Sequence, residues 1–370
     1  MARLIRMGLE SPHSPLRVTG TSLPPAVLLA VKVMALAFLL HNQLQALPAP
    51  FLSFVPGLDS LPAGGILPMV LQAACLGAGL CILFNLWPRL SSLVLGTAIL
   101  IAILSSRTYL ENNRFFTGSF LFLAGLYSDR FGLSLLRAQV IVLYFGATLN
   151  KFLEPDWRSG QFFVAFGQVS GYHSVYAMIP DSVFPIIGWS VILTEAAIFG
   201  GLLIPALRRP AVWLAVGYHT SLLMISGRTF GLFWFALLAS FAVFLDWPVR
   251  SGEVVFNPAS AWRMATGGLH RLDIDRIFQW TSSPVATLTV LGKTTHRRGF
   301  AGLLTILLNS PWAYLAFVAV VAPLPEHFAR LPALLVLAVL GLLAADAFLR
   351  RLRPLLVQRR TLVQVSGSRG

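Results

Sequence analysis

Charged residues are scarce in this chain of 370 residues, and their scarcity excludes most soluble folds. Asp, Glu, Lys and Arg make up 11% of the sequence, whereas soluble globular domains carry about 25%. Hydrophobic residues make up 56% of the chain. A chain this apolar and this poor in charge is not suited to water, so we expect the lipid bilayer to be its solvent.

Cysteine and lysine are also rare. The two cysteines, Cys75 and Cys81, lie in one apolar run and would face different directions on a helix, so we expect neither a disulfide nor a metal site. Only three lysines accompany 25 arginines in a net charge of +14. We attribute this basic excess to the placement of charge across a bilayer, because the sequence has no basic and aromatic face suited to nucleic acid.

Apolar runs of helical length fill most of the chain. Their length indicates membrane helices and not barrel strands, and only these two forms satisfy every backbone polar group in hydrocarbon. We therefore predict an all-α polytopic membrane protein with about 8–10 transmembrane helices. The predicted spans are residues 25–46, 65–86, 90–105, 115–128, 131–150, 183–205, 210–227 and 229–246, followed by apolar runs at 300–322 and 331–349.

Arginines cluster in alternate loops between the predicted spans. If every span crosses, the arginines near the N-terminus, Arg89, Arg130, the pair Arg208 and Arg209, and the block 250–298 fall on one side. By the positive-inside rule, that side is cytoplasmic. We therefore expect a multi-pass protein of a bacterial inner membrane, with a cytoplasmic N-terminus and no removable signal peptide.

Ionisable side chains within the predicted spans are few, and each costs several kcal/mol unless it is paired or hydrated. Glu195 lies near the middle of its span and needs a partner, for which Arg137 and His219 are the candidates. His219 is either a satisfied core histidine or a general acid or base. For Lys32 and Arg137 we expect snorkelling or an internal ion pair.

The run YFGATLNKFLEPDWRSG, residues 144–160, leads from an apolar helix into a cluster of charges. Lys151 stands where the helix meets water, and Glu154, Asp156 and Trp157 follow it closely. Two interpretations remain open. Lys151 is a solvated charge paired with Glu154 or Asp156, or it is an amine in a water-poor site that acts as a general base.

This run resembles a segment of the vitamin K-dependent γ-carboxylase and HTTM (horizontally transferred transmembrane) superfamily, in which a membrane helix ends in lysine, then Asp-Trp and glycine. The likeness covers roughly residues 20–248. It includes the run NNRFF from Asn112, the acidic position Glu195, and the helix pair YHTSLLMISGRTFGLFWFALLASFAVFLDW from Tyr218.

The resemblance implies a reduced quinone, or a vitamin K-like molecule, as a lipid-soluble substrate in an outward-facing cavity. Lys151 would be the base that deprotonates the quinol. The carboxylase's large lumenal domain has no counterpart here, so we do not expect carboxylation of protein glutamate. The alternative is a non-catalytic membrane protein that acts in binding, maturation or assembly. The implied catalytic residues are Lys151, His219 and Glu195, and the implied substrate-binding residues are Asn113, Arg114, Trp157 and His173.

A second resemblance follows Trp247. The stretch EVVFNPASAWRMATGGLHRLDIDRIFQW looks like the opening strand, loop and helix of the DCC-motif thioredoxin-like domain. Ser260 and Arg263 replace its two cysteines, which excludes thiol–disulfide exchange. We predict a small degenerate α/β cytoplasmic segment, and 300–322 is either its second half or a span. The predicted organisation is an N-terminal cytoplasmic segment (1–23), a transmembrane domain (24–248), the thioredoxin-like segment (249–325), and an apolar helix with a basic tail (326–370).

Overall fold

The computed structural model of the chain is mostly helical and contains a small mixed sheet. It describes residues 11–41, 66–105, 109–129, 131–169, 178–226, 231–245, 252–284, 287–292, 296–324, 328 and 330–345. The helices are α1 (Pro25–Leu40), α2 (Ile66–Leu83), α3 (Pro88–Ser105), α4 (Asn112–Gly125), α5 (Ser134–Leu153), α6 (Pro155–Ser159), α7 (Gln161–Val169), α8 (Phe184–Leu203), α9 (Arg208–Ser226), α10 (Gly231–Ser240), α11 (Arg263–Leu272), α12 (Phe300–Asn309), α13 (Pro311–Val321) and α14 (Arg330–Ala345). The strands are β1 (Gly252–Phe256), β2 (Phe278–Ser282), β3 (Thr289–Leu291) and β4 (His296–Arg298).

Helix α1 is the centre of the helical body, although it is the first described helix in chain order. Its buried side chains, among them Val27, Met34 and Phe38, point in all directions around the helix axis. Helices α2, α4, α10 and α13 pack around it. A helix that is apolar all round is stable only where protein or lipid surrounds it, which explains why α1 has no polar face.

Two further groups of helices complete the body. Helices α3 and α4 are in backbone contact, because a Cβ added at Gly96 would lie 2.4 Å from the backbone nitrogen of Phe122. Helix α8 packs between α5 and α9. The candidate site lies on the facing sides of these last three helices.

Two helices in the described part of the chain are long and apolar enough to cross a bilayer: Pro88–Ser105 and Asp181–Leu203. The pair α12 and α13 makes a third if it counts as one span. The prediction of about 8–10 spans is therefore not confirmed. With 16 residues, α1 is about 24 Å long, shorter than a hydrocarbon core of about 30 Å. The other apolar helices with fewer than 18 residues that qualify are Met69–Leu83, which is part of α2, Gly231–Phe244 and Arg330–Ala345.

The apolar run 300–322 is not one straight helix. It divides at Ser310 into α12 and α13, which are bent by 85° relative to each other. Helix α12 packs on strands β3 and β4 and contributes Ile306 to the core of the sheet, whereas α13 packs against α1. The first half of the run thus belongs to the sheet and the second half to the helical body.

The four strands form a sheet in the order β2-β1-β3-β4. Strand β1 is parallel to β2, with Val254 opposite Trp280, and antiparallel to β3, with Val254 opposite Val290. Strand β4 is antiparallel to β3. Helix α11 connects the parallel pair. Val254 and Val290 form the core of this unit with Ile306 of α12.

Residues 11–24, which we call the N-terminal strap, tie the sheet to the helical body. The carboxylate of Asp275, just before β2, accepts hydrogen bonds from the backbone N–H groups of Val18 and Thr19. It also accepts one from the Thr19 hydroxyl at 2.6 Å. These bonds join residues separated by about two thirds of the chain.

Lys32 and Asn85 hold the other side of the strap. The Lys32 ammonium donates to the carbonyl oxygens of Pro15 and Arg17, both at 2.7 Å, and the side chain is fully buried. The Asn85 amide also donates to Arg17, at 3.2 Å. The sequence predicted snorkelling or an internal ion pair for Lys32. Among the described residues Lys32 does neither, because carbonyl groups of the strap take the place of water around its ammonium group.

Candidate functional site

Lys151 and Glu195 form an ion pair between two helices. Lys151 lies in the last turn of α5, and Glu195 projects from the middle of α8. The Lys151 Nζ atom lies 2.8 Å from Oε2 and 3.0 Å from Oε1 of Glu195. The Lys151 side chain is 15% exposed and that of Glu195 is 6% exposed. The attraction between the two charges is stronger in these apolar surroundings than in water.

Two tyrosines extend the ion pair into a polar cluster. The Tyr218 hydroxyl on α9 donates to Oε1 of Glu195 at 3.0 Å. On α5, the Tyr144 hydroxyl lies 2.6 Å from Nε2 of the neighbouring His219. Tyr144 and Lys151 are seven residues apart, which places both on the face of α5 that meets α8 and α9.

Two buried polar atoms in this cluster have no hydrogen-bond partner among the described residues. They are Nδ1 of His219 and Oγ1 of Thr148. Thr148 lies four residues after Tyr144 and three before Lys151, on the same face of α5. Buried polar atoms are normally paired, so these two have unused capacity to bind a polar group.

Trp157 covers the ammonium group. The Lys151 Nζ atom lies 5.0 Å from the centre of the indole ring, within the range of a cation–π interaction. Helix α6, which carries Trp157, packs against α8 at Gly188. Phe162 stacks on Trp157, with the two ring centres 3.8 Å apart, and these two rings form an aromatic cluster beside Lys151.

The partners expected for these charges differ from those observed. The sequence suggested Arg137 or His219 for Glu195, and it suggested Glu154 or Asp156 for Lys151 if the lysine was paired. The ion pair instead joins Lys151 to Glu195, because α5 and α8 pack side by side. Arg137 donates from Nε to the carbonyl oxygen of Val243 at 2.8 Å.

The implied substrate-binding residues are only partly brought together. Trp157 contacts Lys151, as described above, whereas Asn113 and Arg114 lie at the start of α4. Arg114 lies 4.1 Å from the ring centre of Tyr109 and 3.7 Å from a carboxylate oxygen of Glu111. Burial raises the pKa of Tyr109 to about 12. His173 is outside the described residues.

Sequence reasoning did not identify Tyr144, Thr148 or Tyr218. The signal for the first two was their spacing before Lys151, which repeats one face of a helix. Tyr218 precedes His219 directly, and neighbouring residues normally face different directions on a helix. Only the tight packing of α8 against α9 brings Tyr218 to Glu195 while His219 reaches Tyr144.

The cluster contains the groups that general acid–base chemistry needs. An amine, a carboxylate, an imidazole and two phenols lie within one buried region, and the amine is close to the surface. Comparisons of this chain with protein-family models, with characterised proteins and with solved structures find no match.

Proposed function

We propose that this chain is a multi-pass membrane enzyme that transfers a proton between Lys151 and a lipid-soluble substrate of the quinol class. One observation carries the proposal: Lys151 is bonded to both carboxylate oxygens of Glu195, yet its side chain remains 15% exposed. The ammonium group is thus held at the end of an apolar helix, with an acceptor for its proton on one side and a route to a substrate on the other.

The proposed proton transfer has two steps. Glu195 accepts a proton from the Lys151 ammonium across 2.8 Å, which leaves a neutral amine beside a neutral carboxylic acid. The amine then accepts the proton of a substrate hydroxyl group, and the O–H electron pair stays on the substrate oxygen. The resulting oxyanion lies beside the new ammonium group, which stabilises it in apolar surroundings.

The aromatic cluster suits a ring-shaped substrate. Trp157 and Phe162 are stacked on each other beside Lys151 and form an aromatic wall against which a quinol ring would pack. Nδ1 of His219 and Oγ1 of Thr148 have no hydrogen-bond partner among the described residues, so they offer hydrogen-bond capacity for a ring oxygen. We assign the cluster around Lys151 to the outer side of the membrane, because the arginine-rich loops favour a cytoplasmic N-terminus.

Membership of the HTTM and γ-carboxylase-like superfamily is part of the proposal. It is supported by the position of Lys151 at a helix end and by its contact with Trp157. The sheet order β2-β1-β3-β4, with β3 antiparallel to the other strands, is the order of thioredoxin-like domains. Without the two cysteines, we assign this cytoplasmic unit a structural or binding role.

The proposal is tested with purified protein in nanodiscs, a short-chain quinol and dissolved oxygen as the electron acceptor. Quinol turnover is the oxygen-dependent loss of the quinol, because deprotonation alone does not oxidise it. We expect Lys151→Ala and Glu195→Gln to abolish quinol turnover and to reduce the quinone that co-purifies with the protein. Glu154→Gln is the matched control, because it removes an exposed carboxylate from the same region without touching the ion pair. Turnover that is equal in the wild type and Lys151→Ala would overturn the assignment.

A second candidate function is a non-catalytic one in membrane binding, maturation or assembly. It is favoured by the bonds of Glu195, whose Oε1 accepts from both Lys151 and Tyr218 and whose Oε2 accepts from Lys151. With these bonds, a purely structural role for Glu195 is sufficient: it holds α5, α8 and α9 together. In that case the wild type contains no quinone and turns over no quinol, while both substitutions still lower its thermal stability.

A further inference from the structure

Side chains at the junction of α12 and α13 bind carbonyl groups near the end of α12. At most helix ends, water or a cap binds the last carbonyl groups. Here the Ser310 hydroxyl donates to Ile306 at 2.7 Å, the Asn309 amide donates to Thr305 at 2.8 Å, and the Tyr314 hydroxyl donates to Leu308 at 2.6 Å. The side chains of the junction therefore satisfy carbonyl groups that an 85° bend would expose. Backbone carbonyl groups need such internal donors in hydrocarbon.

A groove lies beside this junction, between α13 and α14. Its volume is about 490 Å³, and carbon atoms form nearly all of its surface. Val320 and Leu335 are 65% and 57% exposed, so the groove is open on one side. The residues that define it are Trp312, Ala316, Phe317, Val320, Leu331 and Leu335.

We propose that this groove binds one acyl chain of a membrane phospholipid, with the α12–α13 junction at the edge of the hydrocarbon layer. The volume lies within the range of about 300–1,000 Å³ that small-molecule sites occupy. Helix α13 would then enter the bilayer, while α12 lies along its surface beneath the sheet. The site shares with the proposed function only its membrane location, and it is independent of the chemistry of Lys151.

The chemistry of the groove favours a lipid chain over the C-terminal part of this protein. Residues 350–360 include five arginines, and an apolar groove gives their guanidinium groups no partner. Binding of an acyl chain does not require any charged group to lose its water. Residues 42–65 are apolar enough to compete, so the experiment must separate that occupant from a lipid.

The test fills the groove with a larger side chain and counts the lipids that remain bound. Native mass spectrometry of detergent-purified protein should show that Ala316→Trp retains one phospholipid fewer per chain than the wild type. Ala319→Trp is the matched control, because Ala319 is an exposed residue of the same helix that does not line the groove. Equal lipid retention in all three proteins would overturn the proposal.

A second measurement identifies the occupant directly. In nanodiscs made with brominated acyl chains, the fluorescence difference between the wild type and Trp312→Phe should be strongly quenched. Absence of quenching, together with crosslinking of a cysteine at position 335 to residues 42–65, would assign the groove to the chain itself and overturn the lipid site. Neither measurement depends on Lys151, so loss of quinol turnover and loss of the lipid are separate results.

Discussion

Gly188 lies against the carbonyl oxygen of Trp157: a Cβ added at position 188 would be 1.9 Å from that oxygen. The contact holds α6 against α8 and thereby holds the indole ring over Lys151. We expect Gly188→Ala to displace α6 and to lower thermal stability by about 1–3 kcal/mol. If the proposed function is right, quinol turnover also falls in the protein that remains folded, because the indole ring of Trp157 no longer lies over the Lys151 ammonium group.

Gly200 supplies the control for this prediction. It lies on the same helix, and a Cβ added there would meet no atom within 4 Å. Gly200→Ala should leave turnover unchanged and should be neutral or stabilising by up to about 1 kcal/mol, since alanine is the better helix former. Similar losses in both variants would show that α8 tolerates no alanine and that the contact with Trp157 is not the cause.

Removing only one partner of the ion pair between Lys151 and Glu195 should strongly lower the free energy of unfolding. We expect Lys151→Ala to destabilise the protein by about 3–5 kcal/mol, because it leaves a buried carboxylate without its cation. The double variant Lys151→Ala with Glu195→Leu should recover part of that loss. Unfolding in detergent, followed by circular dichroism, measures all three proteins.

The ion pair of Arg114 and Glu111 is the control for this prediction, because one of its partners is exposed. Its atoms are 3.7 Å apart, and the Glu111 side chain is 50% exposed. Glu111→Gln should therefore cost less than about 1 kcal/mol. A comparable cost for the two pairs would mean that Glu195 is well hydrated in the native protein, which contradicts its burial.

Lys32 should control access to the N-terminal strap. In Lys32→Met, the carbonyl groups of Pro15 and Arg17 lose a charged donor, so the strap should detach more often. Limited trypsin digestion should then cleave after Arg17 at least several-fold faster than in the wild type. Cleavage after Arg158, which is exposed and remote from the strap, is the internal control and should not change.

Asp275 provides an independent check on the same segment. Asp275→Ala removes the acceptor for the backbone of Val18 and Thr19 while leaving the Lys32 side chain and its two carbonyl acceptors in place. We expect faster cleavage after Arg17 here too. If neither variant alters this rate, the hydrogen bonds of the strap do not limit its opening.

The hydroxyl group of Tyr144 should contribute to the stability of the protein through its contact with His219. Tyr144→Phe removes the partner of Nε2 in His219 and leaves a buried imidazole with both nitrogens unpaired. A loss of about 1–3 kcal/mol in thermal stability is expected. Tyr127→Phe is the control, because among the described residues its hydroxyl forms no hydrogen bond. Its stability should stay within about 0.5 kcal/mol of the wild type.

The positions of the helices could be predicted from the sequence because apolar runs are continuous and end at Pro, Gly or charge. The run 183–205 corresponds to α8 at Phe184–Leu203, and the run 131–150 to α5 at Ser134–Leu153. The number of helices that cross a bilayer could not, because hydropathy does not distinguish a helix surrounded by lipid from one surrounded by protein. Helix α1 is an example of the second kind.

In the candidate site, too, some residues could be predicted from the sequence and others could not. Lys151, Glu195 and His219 stood out in the sequence because charge is rare within apolar runs. Their partners did not, since the periodicity of one helix gives its buried face but not the register against the next helix. The break of the run 300–322 did have a sequence signal, because Pro311 disfavours the helical conformation at Ser310, where the 85° bend lies.

The central position of α1 has a consequence for how the protein is made. This helix leaves the ribosome well before α10 and α13, which enclose it and follow roughly 200 and 280 residues later. At about 5–20 residues per second, that interval lasts on the order of ten seconds or more. During this time α1 must be sheltered by lipid, by the insertion machinery or by α2 and α4 alone. The contacts of α10 and α13 with α1 then complete this part of the fold.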